Sequence, residues 1–192
     1  MKLSQIFSSE LIYRELAEHR IDLGFVTSYQ ENIKSIFPKA DYTIVKSYEL
    51  MLTLSRSNPI YDQLEFKDGC LSESSYHLLE GLPIFRGKND MVRKRMDEDI
   101  FPTLGIRPKK KDGVIDIEFT FQAMMLENTF SILPVSRIRG GDIEQIPLLF
   151  HPKVQRLFIY PAKRHLTQPE RELISRVSDT YREISYYYDI SL

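Results

Sequence analysis

Four histidines, one cysteine and two short basic runs are the side chains from which this 192-residue chain would build its chemistry. His19, His77, His151 and His165 stand apart in sequence, and none has a second His or a Cys at metal-ligand spacing. Each reads as a surface or helix-end histidine; a partly cationic ring at His19 would suit the helix C-terminus expected there. Cys70 is the one cysteine, so it makes no internal disulfide and no Cys-rich zinc site, and it reads as a structural or surface thiol. A phosphate cradle would need a glycine-rich loop, but the eight glycines include one adjacent pair, Gly140–Gly141. There is no Gly-x-Ser-x-Gly elbow either. No catalytic constellation, cofactor motif or metal site follows from these residues. They point to a ligand-binding α/β protein rather than an enzyme, with its site at the carboxyl ends of strands.

The basic runs, Arg93–Lys94–Arg95 and Lys109–Lys110–Lys111, adjoin Asp97–Glu98–Asp99 and Asp112–Gly113, so each reads as a solvated face or turn. With 26 Lys+Arg against 27 Asp+Glu the net charge is −1, which argues against broad nucleic-acid binding by this chain. Hydrophobic residues at 42% and charged residues at 28% are those of a folded protein, one medium domain or two small lobes. No stretch approaches the roughly 20 apolar residues of a membrane span. Met1–Phe7 is followed at once by Ser8, Ser9 and Glu10, with no apolar signal region, so a cytoplasmic location is expected.

The elements follow from periodicity and punctuation. Ser8 or Ser9 caps a helix that ends near His19–Arg20. Ile21–Thr27 reads as a strand buried on both faces, which suggests a parallel sheet packed by helices. Tyr42–Val45 and Glu49–Leu54 are two further strands, and Ser57–Asn58–Pro59 ends the second. Residues 60–81 carry little periodicity. Leu82–Phe85 is a strand in which Pro83 belongs at a start or an edge. Asn89 or Asp90 caps a helix with Val92, Met96 and Ile100 on one face, extended by Phe101 and Leu104, strained or ended by Pro102 and closed by Gly105. A strand over 106–114, a helix from Asp116 to Glu127 and a strand over Phe130–Leu133 follow. Leu157–Tyr160 is a strand. Thr167-Gln168-Pro169-Glu170 is a capping box opening a helix with Leu173, Val177, Tyr181 and Ile184 on one face. The alternation gives an α/β class with a largely parallel sheet. The Tyr186–Tyr188 run reads as a tail packed on its own domain.

In order and spacing these segments resemble the effector-binding domain of LysR-type transcriptional regulators, over residues 9–185. The likeness is carried by Glu10–Leu11 through Ile21-Asp22-Leu23-Gly24-Phe25-Val26, by Leu50–Pro59, and by Arg93 through Pro108 with Met96–Asp97, Phe101 and Gly105. Phe130-Ser131-Ile132-Leu133-Pro134, then Leu157–Tyr160 and the capped helix, complete it. Two glycines of the family pattern fall on Glu127 and Thr129, leaving Asn128 as the candidate for a left-handed turn. By this resemblance Met1–Phe7 would correspond to the family's second strand, and the first strand and helix of the first lobe, like the winged helix-turn-helix, are expected to be absent from this sequence.

The resemblance implies a two-lobed, periplasmic-binding-protein-like (type II) fold. Residues 1–58 and 155–192 would form the first lobe, and 59–154 the second. It also implies a small, polar or anionic effector between the lobes, a homodimer or higher homo-oligomer, and DNA contacted only through the helix-turn-helix domain. A solute-binding protein of the same fold is the alternative. Strand ends and helix starts would place Thr27, Ser28, Arg86, Gly87, Phe119, Thr120 and Phe130 at the effector. Arg86 would pair with a carboxylate and Gly87 would let backbone approach it. The residue-level alternative is that Thr27 and Ser28 merely end a strand, Phe119 and Phe130 are core, and Arg86 is solvated.

Overall fold

The computed structural model describes residues 8–29, 32–86, 90–112, 117–135, 137–139, 142–183 and 187–189. Along the chain, helix α1 (Ser9–Ala17) leads to β1 (Gly24–Ser28), the short helix α2 (Ile33–Ile36) and the long strand β2 (Ala40–Ser55). After a 3-10 turn at Tyr61–Gln63 come β3 (Phe66–Lys67) and β4 (Cys70–Leu71), a 3-10 segment at Glu73–Leu79, and β5 (Pro83–Arg86). Next are α3 (Asp90–Arg95), a π-helical turn at Met96–Ile100, α4 (Phe101–Leu104), β6 (Lys109–Asp112) and α5 (Ile117–Leu126). The strands β7 (Phe130–Pro134), β8 (Arg137–Arg139), β9 (Ile143–Ile146) and β10 (Lys153–Pro161) precede α6 (Gln168–Glu183) and β11 (Tyr187–Asp189).

The chain divides into two units, Met1–Ser47 with Asn89–Val92 and Val154–Ser185, and Tyr48–Lys88 with Arg93–Lys153 and Tyr186–Leu192. The first boundary thus falls inside β2 rather than after Asn58. The two strands expected from Tyr42 to Leu54 are this one strand, which carries the chain from the first unit to the second. The expected Tyr tail belongs to the second unit, where β11 pairs parallel with β8, Tyr187 opposite Arg137.

In the first unit β1 pairs with β10 antiparallel, Val26 opposite Leu157. Two-faced burial of the strand holds as expected. Val26 and Leu157 pack with Leu16, Ile33, Phe37 and Met91 on one side. Phe25 packs with Phe158 and Tyr181 of α6 on the other, at ring distances of 4.9 and 5.6 Å. The parallel sheet inferred from that burial is corrected here. Helices on both faces produce two-faced burial whatever the strand direction, and β10 returns the chain against β1.

The second unit is mixed. β2 lies antiparallel to β7 and β9, while β5 runs parallel to β6 and β7. Leu50, Leu52, Leu54, Ile84, Phe130 and Ile132 are wholly buried on these strands. Pro83 occupies the first position of β5, where its missing N–H costs the ladder least. The single helix expected over 90–104 is broken by the π turn, in which the Phe101 N–H reaches back five residues to the Met96 carbonyl. Pro102 supplies the reason, since it brings no N–H to the carbonyl four residues before it. The buried face is Met91, Met96, Ile100, Phe101 and Leu104, the expected one except that Met91 stands in place of Val92. Gly105, at φ +68°, ends the helix in the left-handed conformation expected of it. Asn128 does not adopt one. A tight turn closed by the Thr129 N–H on the Glu127 carbonyl at 2.7 Å bends the chain there, and it needs no left-handed residue. Gly140–Gly141 and Asp116 lie outside the described residues.

At α6 the expected capping box shows its Glu170 half, the carboxylate reaching back to the Thr167 N–H. The Thr167 N–H and hydroxyl both donate to Glu170 Oε2 at 2.8 Å, and Arg164 Nη2 donates to Oε1 at 2.9 Å. Burial alone would raise the Glu170 carboxyl; Thr167 and Arg164 outweigh it and hold the group below its ordinary value. A carboxyl lowered in the fold stabilises above its unfolded pKa and loses that contribution as pH falls through the folded one. Glu170→Ala is therefore expected to cost about 1 kcal/mol in urea denaturation at pH 7. The difference from wild type should shrink as pH drops below about 4.

Candidate functional site

In the first unit the expected site residues end β1. Thr27 is 7% exposed and Ser28 wholly buried. The Thr27 N–H donates to Ser9 Oγ at 3.1 Å, which ties the strand end to the first residue of α1. That helix start already holds an anion. Asp90 accepts from Ser8 Oγ at 2.6 Å and from the N–H groups of Ser9 and Glu10 at 3.3 and 3.4 Å. The carboxylate sits where the helix dipole and the open N–H groups favour negative charge. Ser8 meanwhile accepts the Leu11 N–H at 3.2 Å as the expected cap. Asp90 was read only as a cap for its own helix; its bond to Ser8 spans 82 positions and leaves no periodic trace.

In the second unit Arg86 closes β5 and is 6% exposed, so the solvated alternative is set aside. Its Nη1 meets Asp97 Oδ2 at 2.7 Å, and Lys110 Nζ meets Asp97 Oδ1 at 2.9 Å. One carboxylate thus carries two cations, each oxygen serving one. The parallel register sets Arg86 opposite Asp112, so β5 and β6 end level. α5 begins five residues on, with Thr120, 5% exposed, in its first turn. Arg86, Asp97 and Lys110 thus form one cluster of the second unit. Asp97 and Lys110 were assigned to solvated runs. Asp97 comes from the π turn, which helical spacing alone could not place, and π turns recur at functional sites.

Phe130 is wholly buried at the amino end of β7, level with Ile84 and so two residues short of Arg86 along the strand direction. It faces Leu54 across the antiparallel pair. Beside it the Thr129 hydroxyl is buried without a hydrogen-bond partner, and the Thr129 carbonyl accepts from Asn58 Nδ2 at 3.1 Å. Phe119 belongs to the first turn of α5, but its side chain and all of Gly87 lie outside the described set. An open hollow of about 400 Å³ in the same unit is lined by Glu73, Tyr76, Thr103, Leu149 and Phe150, and by none of the expected site residues. Among the described residues no group of three His, Cys, Asp or Glu side chains is placed to hold a metal ion. No helix among them is long and apolar enough to cross a membrane.

Comparison with family models and with the sequences of curated proteins found no match. Solved structures do match. The CcmR regulatory domain of Synechocystis PCC6803, in complex with 2-PG, superposes with a TM-score of 0.65 at 13% identity, over 92% of this chain and 81% of that one. The effector-binding domain of QuiR, in complex with shikimate, gives 0.57 at 15% identity over 91% and 78%. Full-length CbnR complexed with its target DNA gives 0.56 at 18% identity, covering 90% of this chain and 56% of that one. The fold is therefore that of LysR-type effector-binding domains, the two-lobed, periplasmic-binding-protein-like fold.

Proposed function

We propose that this chain is a ligand-sensing regulatory domain of the LysR type, which takes a small anionic effector at the carboxyl end of β5. The observation that carries the reading is Arg86, a buried guanidinium at a strand end of a fold whose solved examples include effector complexes. Asp97 pairs with that guanidinium and with Lys110, so the three carry one net positive charge. An incoming carboxylate or phosphate would compete with Asp97 for the guanidinium, and so couple occupancy to the π turn that carries Asp97. The coupling works only through a difference in effector affinity between the two arrangements. Thr27, Ser28, Gly87, Phe119, Thr120 and Phe130 remain the further effector-site candidates of this reading. DNA would be bound through a helix-turn-helix domain, by a cytoplasmic homo-oligomer, with no reaction catalysed. The solved neighbours named above support regulation over solute transport.

A thermal-shift screen of small anionic metabolites is expected to find a stabilising compound. Calorimetry should then show its affinity falling roughly tenfold to a hundredfold in Arg86→Ala, the worth of one charge-assisted hydrogen bond. Arg86→Lys, which keeps the charge against Asp97 and loses the fork, should fall between the two. Equal binding by wild type and both variants would place the effector elsewhere.

A further inference from the structure

Cys70, His151 and Glu49 are far apart in sequence and meet in the second unit. Backbone bonds bring them together. The Leu71 N–H donates to the Pro147 carbonyl at 2.8 Å, and Leu71 bridges Leu148, so β4 lies along the segment that leads to His151. The Leu50 N–H donates to the Pro152 carbonyl at 2.7 Å, which sets Glu49 of β2 beside the same histidine. His151 itself turns back on the Leu148 carbonyl at 2.9 Å and holds a φ of 44°, unusual for a residue with a Cβ.

The result is a relay. His151 Nδ1 lies 2.7 Å from Glu49 Oε1, and Nε2 lies 4.0 Å from Cys70 Sγ, within reach of a thiol hydrogen bond. The carboxylate accepts the Nδ1 proton and leaves the Nε2 lone pair facing the thiol. A base held in one tautomer by a third group, next to a nucleophile, is the arrangement that activates cysteine. It is not a metal site, because the two ring nitrogens face opposite partners and the donor atoms do not converge. The hollow of about 400 Å³ is lined by neighbours of the group, and not by Cys70, His151 or Glu49 themselves. Phe150 precedes His151, and the Tyr76 hydroxyl is held above its ordinary range by burial first, then by the charges of Glu73 and Cys70.

We propose that Cys70, His151 and Glu49 form an activated-thiol site, in which a small uncharged α,β-unsaturated carbonyl compound becomes covalently linked to Cys70. Cys70 is 6% exposed, so only a slender reagent reaches it, and the Glu49 carboxylate on His151 disfavours an anionic one. Nε2 takes the thiol proton, and the sulfur electron pair forms a C–S bond to the β-carbon. The C=C π pair moves through the enolate, and the proton held on His151 passes to the α-carbon. Nothing is oxidised, nothing leaves, and the mass gained equals that of the reagent. The site does not depend on where an anionic effector binds.

The test is the rate at which acrylamide and N-ethylmaleimide add to the native full chain, followed by intact-protein mass spectrometry with glutathione as reference thiol. As the one cysteine, Cys70 gives a single addition, and Cys70→Ser gives none. Native protein should react at least about tenfold faster than glutathione. His151→Ala should slow it by about a hundredfold and Glu49→Gln by roughly tenfold, since the carboxylate acts through the imidazole. The His151 side chain is 53% exposed, so its loss should leave the fold intact, as circular dichroism would verify. Unfolding in urea should abolish the advantage. Addition that is no faster than to glutathione, that is equal in wild type and Glu49→Gln, or that speeds up on unfolding would overturn the site.

Discussion

Phe130→Ala is expected to lower the unfolding free energy by about 3–5 kcal/mol, read as a drop in urea midpoint with little change in slope. Phe130 is wholly buried on β7, opposite Leu54 of β2 and level with Ile84 of β5, so it joins the antiparallel and the parallel part of the second unit's sheet. No side chain from the neighbouring strands can refill its volume without leaving its own register. Phe130→Leu restores most of that volume and should cost less than about 1.5 kcal/mol. The pair of variants separates two roles. If Phe130 serves packing alone, the leucine variant keeps both stability and effector affinity. If the ring touches the effector, it keeps stability and loses affinity.

Local features were legible because local bonds enforce them. Ser8 as cap, Thr167 with Glu170 as capping box and Gly105 as helix stop are decisions made within four residues. The strands β1, β5 and β7 were legible from the local pattern, as was burial of β1 on both faces, whereas the short strands β3, β4, β8, β9 and β11 left no such pattern. Pairing direction was not, because alternation is the same whichever way the neighbouring strand runs. The π turn was hidden for a related reason. Pro102 announced a disturbance, but only the five-residue reach of Phe101 to Met96 shows its form.

The sites divide the same way. Arg86 could be placed at a strand end from the sequence, because a strand end is a local fact. Its counter-ion Asp97 and the second cation Lys110 were assigned to solvent, since neither helix spacing nor a lysine run shows what lies across the unit. His151 is isolated along the chain and exposed, as read, and its partners appear only in space. Its partners stand 81 and 102 positions away, separations at which no motif of fixed spacing operates.

Gly24→Ala is expected to cost about 3 kcal/mol, although it adds a single methyl group. An added Cβ would stand 2.4 Å from Ile12 Cγ2 and 3.3 Å from Ile159 Cγ1. The glycine is there for space, since its backbone is that of an ordinary strand residue paired with Ile159. Helix α1 lies so close over β1 that only a hydrogen atom fits beneath Ile12. The helix cannot lift, because Ser9 Oγ holds the Thr27 N–H and Asp90 holds the first turn. Ile12 cannot swing aside either, because a β-branched residue in a helix has one favoured χ1 and Cγ2 branches directly from its Cβ. Relief must therefore come from removing the methyl. In an Ile12→Ala background Gly24→Ala should cost at least about 1 kcal/mol less than in wild type, measured as a double-mutant cycle in urea. An additive cycle would mean that α1 shifts as a body to admit the methyl, and that the ties from Ser9 and Asp90 do not fix it on the sheet.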